Sequence, residues 1–241
     1  MLTKTTAIVL HNIKYGDSKM IVDMFTRSHG RMSFVVPVPK SAKSKLRKQF
    51  FQPLVQLSLE FDYRPKVQLQ KIKEASMLYP YSTLLFDIDK LTVCMFIAEF
   101  LYHTLYGEQQ NELMYDYISD SLQWFDSSPS SAANFHLVFM MRLSRFLGFY
   151  PNLDDYVPGC IFDLRNGSFS TVAPLHSDFL SAVEASQMSL MMRMNYPTMH
   201  LFKFTRAQRN RLLDVIVQYY RLHIPGFPDM KSLDVLRNIY A

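Results

Sequence analysis

The sequence predicts an α+β chain, with a five-stranded N-terminal barrel followed by a mostly helical C-terminal region. Three observations predict it. Short β-forming runs separated by turn residues fill residues 3–79. Pro80 to Ser82 then marks a boundary, after which apolar residues recur at helical spacing. The charge also divides: residues 1–75 hold fourteen Lys or Arg against five Asp or Glu, and the remainder twelve against sixteen. A basic part joined to a mildly acidic part indicates a polyanion-binding domain attached to a domain of another kind. The expected division is 1–79 and 80–241, with an irregular insert at about 150–175.

The strands follow in order. Ala7-Ile8-Val9-Leu10 is rich in β formers, and Lys19–Arg27 alternates through Met20, Val22 and Met24. His29-Gly30 turns the chain into Arg31–Val36. Leu54, Leu57, Leu59 and Phe61 belong to a fourth strand, and Val67, Leu69 and Ile72 to a fifth beyond the Tyr63-Arg64-Pro65 turn. Five strands in under eighty residues suit the OB-fold, a small barrel whose closure removes exposed edges. The connection between the third and fourth strands carries Lys40, Lys43, Lys45, Arg47 and Lys48 without an acid, spaced by Ser41, Ala42 and Ser44, and ends on Phe50 and Phe51. Cations for phosphates beside rings for bases suit single-stranded nucleic acid. Lys19, Arg27 and Arg31 on the neighbouring strands join the candidate set. The competing reading is a solvated basic loop; its place on a barrel of this kind favours binding.

Helices are expected from Ser82 to Tyr106, about Glu112–Phe125, Ala132–Leu147, near Ser177–Met192, from Thr205 to about Leu222, and Lys231–Tyr240. Leu84, Leu85, Ile88, Leu91, Met95, Ala98 and Leu105 are assigned to the buried face of the first, with Cys94 buried within it. Ser127–Ser131 reads as a linker. Met188, Met191, Met192 and Met194 read as adaptable core, with a plastic partner groove as the alternative. Glu112, Asp116 and Asp120 share one helix face, read as solvated.

No catalytic constellation emerges, so an enzyme is not expected, and neither is a cofactor or a metal. The seven glycines are scattered and form no phosphate loop, and no two of the seven His residues stand three or four apart. Two cysteines, Cys94 and Cys160, are too few for a disulfide framework. No signal peptide and no membrane-length apolar run is present, so a cytoplasmic protein without membrane partners is expected. Lys203, Arg206 and Arg209 crowd the first turn of a helix, where the dipole disfavours cations. That mismatch makes them candidates for an anionic partner; surface solubility is the default.

At this point the order of motifs along the chain resembles the RecO family, bacterial recombination mediators of DNA repair. Ala7–Leu10, Tyr15-Gly16-Asp17 and Ile21–Gly30 match the family's opening strands. Val36–Lys45 resembles its basic loop, Gln52-Pro53-Leu54 the start of its next strand, Phe146–Phe149 with Pro151 and Leu153 the entry to its metal-binding region, and Lys231-Ser232 its C-terminus. The likeness covers most of the chain. It implies an N-terminal OB domain and a helical C-terminal domain. It further implies binding of single- and double-stranded DNA, strand annealing, and partnership with RecR and the acidic tail of single-strand-binding protein. The mediator would help load recombinase on DNA coated by that protein; an OB-fold RNA-binding or transcription-associated protein is the alternative. The sequence departs from the family where many members carry four zinc-binding cysteines. Only Cys160 remains there, with His176 farther on and Asp154 and Asp155 nearby. No four-coordinate N/S site results, so this degenerate zinc region is expected to be held by packing of proline, Phe162, Phe169 and Leu175.

Overall fold

The computed structural model describes residues 2–38, 46–128 and 133–239. The described residues form two compact units, Met1–Ser127 with Met230–Leu236, and Ser128–Asp229 with Arg237–Ala241.

In the first unit, five strands close a barrel: β1 Leu2–Tyr15, β2 Lys19–Thr26, β3 Gly30–Pro37, β4 Gln56–Asp62 and β5 Leu69–Tyr79, in the order β1-β2-β3-β5-β4 with β4 returning to β1. All pairings are antiparallel except β3 with β5, which runs through only three pairs, Ser33 with Leu69 to Val35 with Lys71. Alternation places Met20, Val22 and Met24 of β2, Phe34 and Val36 of β3, and Leu57, Leu59 and Phe61 of β4 in one core. The opposite face of β1 and β2 is also buried, through Ile8, Leu10 and Phe25. Phe25 lies near Tyr115 of α2 (Glu112–Ser127), with ring centroids 6.2 Å apart.

The fourth strand begins at Gln56 and not at Leu54, whose φ of 65° belongs to the turn before it. The fifth begins beyond Val67. The first helix, α1, spans Ile88–Thr104 and is capped by Asp87, whose carboxylate accepts from Asp89 N and Lys90 N. Ser82 is not its cap. Instead the backbone N–H groups of Ser82, Thr83 and Leu84 all donate to the Asp126 carboxylate at 2.7–3.1 Å. These bonds hold Asp126 below the ordinary carboxylate range against the opposing effect of its burial. Ile88 and Met95 are exposed, and Val93, Phe96, Ile97, Phe100 and Leu101 are buried instead. A helix apolar on nearly every side gives periodicity no face to choose. The C-terminal segment belongs to this unit because Glu99 of α1 accepts from Lys231 N and Ser232 N at 2.9 and 2.7 Å.

The second unit packs α3 Phe135–Leu143, α4 Ala182–Met192 and α5 Arg206–His223 with a small sheet of β6 Ile161–Asp163, β7 Ser168–Ser170 and β8 Phe179–Leu180. Ser181 and Glu184 form a capping box on α4, as Thr205 and Gln208 do on α5. α3 is shorter than expected, and Gly148 follows it at φ 83°. Met188, Met191, Met192 and Met194 are buried core. Tyr219 and Tyr220, also buried, donate to the carbonyls of Phe149 and Met140 at 2.8 and 2.7 Å. The irregular insert contains the β6–β7 hairpin. Its turn is pinned by Asp163, which accepts from Arg165 N, Asn166 N and Asn166 Nδ2. α6, Leu233–Ile239, ends the described chain. No helix among the described residues is long and apolar enough to cross a membrane.

Candidate nucleic-acid interface

Strand register decides which candidate side chains meet. Lys19 pairs with Pro37, and Val38 N donates to Ser18 O at 2.8 Å. The basic connection therefore leaves β3 beside the β1–β2 turn. It returns through a 3-10 turn, Lys48–Phe51, tied to β1 by Asn12 Nδ2 donating to Phe51 O at 2.7 Å. Lys19, Arg47 and Lys48 are all exposed at this end. Lys40, Lys43 and Lys45 lie outside the described residues. Lys14 and Tyr15, not among the candidates, stand at the same end through the pairs Lys14 with Met20 and Tyr15 with Lys19; both are exposed. The signal in the sequence was their position before the Gly16-Asp17 turn, facing Lys19 once the hairpin register is set.

Two candidates are corrected by burial. Phe50 and Phe51 are 9% and 1% exposed and belong to the barrel core with Leu46. An open barrel end needs an apolar plug to exclude water, and the rings that follow the cations supply it. They present no face to a base.

Two more have partners within the unit. Arg27, beside the β2–β3 turn at the other end of the barrel, donates through Nε and Nη2 to the two oxygens of Asp116 at 2.9 and 3.0 Å. Its Nη1 lies 2.9 Å from Glu112. The bidentate bond holds Asp116 below the ordinary carboxylate range. Two of the three acids on that face of α2 are therefore ion-paired. Arg31 has a side chain only 9% exposed, donates to Tyr102 O, and lies 4.4 Å from the Tyr102 ring centroid. Desolvated and shared between a carbonyl and a ring, it is committed within the unit.

In the second unit, Lys203 is exposed, but Arg206 donates to Arg237 O through Nε and Nη2 at 3.1 and 2.9 Å. Arg209 donates to Phe204 O at 3.0 Å. These bonds account for two cations placed against the dipole of α5: they satisfy carbonyl groups that the helix ends and turns leave open.

At the degenerate zinc region, Cys160 is 1% exposed and His176 Nε2 lies 3.5 Å from Asp163 Oδ2. Among the described residues no group of three His, Cys, Asp or Glu side chains is placed to hold a metal ion. Phe162 and Phe169 pack with centroids 4.8 Å apart, and Tyr156 meets Phe169 edge-on at 5.1 Å. Leu175, expected to pack here, is fully exposed.

The chain is similar to known proteins along its whole length. Residues 1–81 match the family model for the recombination protein O N terminal domain, and residues 85–234 match that for the C terminal domain. A DNA repair protein RecO from Phocaeicola vulgatus is 51% identical over 241 residues, with both chains covered completely. One from Bacteroides fragilis is 48% identical and one from Flavobacterium psychrophilum 32% identical, again with complete coverage of each chain. The chain belongs to the RecO family of DNA repair proteins.

Proposed function

We propose that this protein is a non-enzymatic recombination mediator that binds DNA, anneals complementary single strands and helps load recombinase on DNA coated by single-strand-binding protein. The observation that carries this reading is the basic connection of a family-defining barrel, with exposed Lys14, Lys19, Arg47 and Lys48 gathered around its two ends. Each cation that meets a phosphate releases a condensed counterion, so affinity is sequence-independent and salt-dependent. Lys40, Lys43 and Lys45 extend the patch on this reading. A neutralised strand repels a second strand less, and a loop of small residues and lysines leaves its bases free to pair. RecR and the acidic tail of single-strand-binding protein are its proposed protein partners. Lys203 is the member of the helical-region set whose ammonium group is exposed to such a tail.

The test is strand annealing of complementary oligonucleotides, bare and coated with single-strand-binding protein. Acceleration on both substrates is the expected result. Acceleration on neither, or tighter binding to RNA than to DNA of the same sequence, would reject the reading.

A further inference from the structure

The end of the barrel opposite the basic connection carries an open cavity of about 520 Å³ that the reading above does not use. It is bounded by β3, the β4–β5 turn and the connection between α1 and α2. His29, Tyr63 and Tyr106 bring rings to it, Gln68 and Gln109 bring amides, and no Asp or Glu lines it. Tyr106 is 81% exposed, unusual for so large a ring, and its centroid lies 5.1 Å from the Arg31 guanidinium carbon. The His29 and Tyr63 rings lie 4.4 Å apart, and partial burial lowers the His29 pKa, which favours the neutral ring.

Both walls are built firmly. Buried Gln70 clamps the β4–β5 turn: its Nε2 donates to Arg64 O at 2.9 Å and also to Val67 O, and its Oε1 accepts from Arg64 N at 3.0 Å. On the other side, Arg31 N donates to Glu108 O at 3.0 Å. Gly30, at φ 69°, has no room for a Cβ, which would stand 2.4 Å from Glu108 O. The loop that presents Tyr106 is thus pressed against the β2–β3 turn.

We propose that this cavity receives one unstacked base of a single DNA strand, with the base on the Tyr106 ring and its edge toward Gln68 and Gln109. The Tyr106 ring is exposed on one side and backed by a guanidinium, the arrangement that stacking on a base needs. Amide side chains offer donors and acceptors to any base edge without charge. Arg64 and Lys66, exposed on either side of Pro65, take the neighbouring phosphates. A carboxylate-free lining leaves no charge to repel them. The inference rests on the DNA-binding reading and adds to it a second place of contact at the far end of the barrel.

The experiment compares an oligothymidylate with an abasic phosphodiester of equal length, which keeps the charge and removes the bases. Tyr106→Ala should weaken oligothymidylate binding about ten-fold, the effect of removing one stacked base, and change abasic binding less than two-fold. Trp124 is the sole tryptophan, so Tyr106→Trp in a Trp124→Phe background gives a local probe. Its fluorescence should be quenched by the oligothymidylate and not by the abasic chain. Equal losses on the two oligomers, or no loss and no quenching while the wild type binds, would overturn the proposal and leave the DNA-binding reading standing. Failure of the wild type to bind the oligothymidylate at all would overturn both.

Discussion

At the end of the barrel formed by the β1–β2 turn and the β3–β4 connection, Lys14, Lys19, Arg47 and Lys48 are exposed, and none of them is paired with a carboxylate among the described residues. At the end formed by the β2–β3 and β4–β5 turns, the cations nearest the hairpin are committed. Arg27 grips Asp116 and Glu112, and Arg31 lies between Tyr102, Tyr106 and a carbonyl. The cations beside the basic connection and those beside the β2–β3 hairpin are therefore used differently. The first stay in water, where a polyanion can exchange for counterions; Arg27 and Arg31 hold neighbouring segments, and at their end only the β4–β5 turn, with Arg64 and Lys66, leaves cations exposed among those compared. A count of lysines and arginines does not separate these uses, because the difference lies in where carboxylates and rings from α1 and α2 arrive.

The largest effect that sharpens this comparison concerns the plug beneath the basic end. Phe51→Ala removes a buried ring and should destabilise the protein by ~3–5 kcal/mol. The melting temperature should fall, while DNA affinity measured well below it should stay within about two-fold of wild type. A specific loss of affinity at unchanged stability would return Phe51 to a stacking role.

Next in size is a change at the opposite end. Gly30→Ala places a Cβ against the backbone of Glu108 and Gln109 and strains a left-handed φ, a cost of ~1–3 kcal/mol. Chemical denaturation should show that loss. Because the connection carrying Tyr106 must shift, affinity for oligothymidylate should fall with it, whereas affinity for an abasic chain should hold.

The smallest effect tests the same logic in the helical region. Arg206→Ala deletes two hydrogen bonds to the Arg237 carbonyl and should cost ~1 kcal/mol of stability. Binding of an acidic peptide should change less than two-fold, since a guanidinium already holding a carbonyl has little to offer a carboxylate. Lys203→Ala, by contrast, should leave stability unchanged.

Much of the fold was legible because its signals are local. The alternation in Lys19–Arg27, the His29-Gly30 turn and the Thr205 cap each specify one element without help from distant residues, and each element formed near its expected bounds. What failed were assignments that depend on tertiary neighbours. Ser82 looked like a cap because it precedes a helical run, yet Asp126, forty-four positions away, captures its N–H. Phe50 and Phe51 looked like stacking rings because they follow cations, and only the open barrel end explains why they turn inward. For Arg27 and Arg31 the sequence shows charge alone, and the partners that α1 and α2 supply are not visible in it. Lys14 and Tyr15 stand apart from the basic run in sequence, and it is hairpin register that brings them to the same end.

The central claim is that the basic end of the barrel is where DNA is held, and salt dependence tests it most directly. The slope of log affinity against log salt should be measured on single-stranded DNA for the wild type. It should then be measured for a variant with Lys40, Lys43, Lys45, Arg47 and Lys48 all changed to Ala, and for Arg27→Ala. Each phosphate of a single strand that the protein no longer neutralises makes the slope shallower by ~0.7. The account predicts a slope shallower by roughly 2–3.5 in the five-site variant, which corresponds to about three to five phosphates left to their counterions, and an unchanged slope in Arg27→Ala. An unchanged slope in the five-site variant, or an equal change in both, would contradict it.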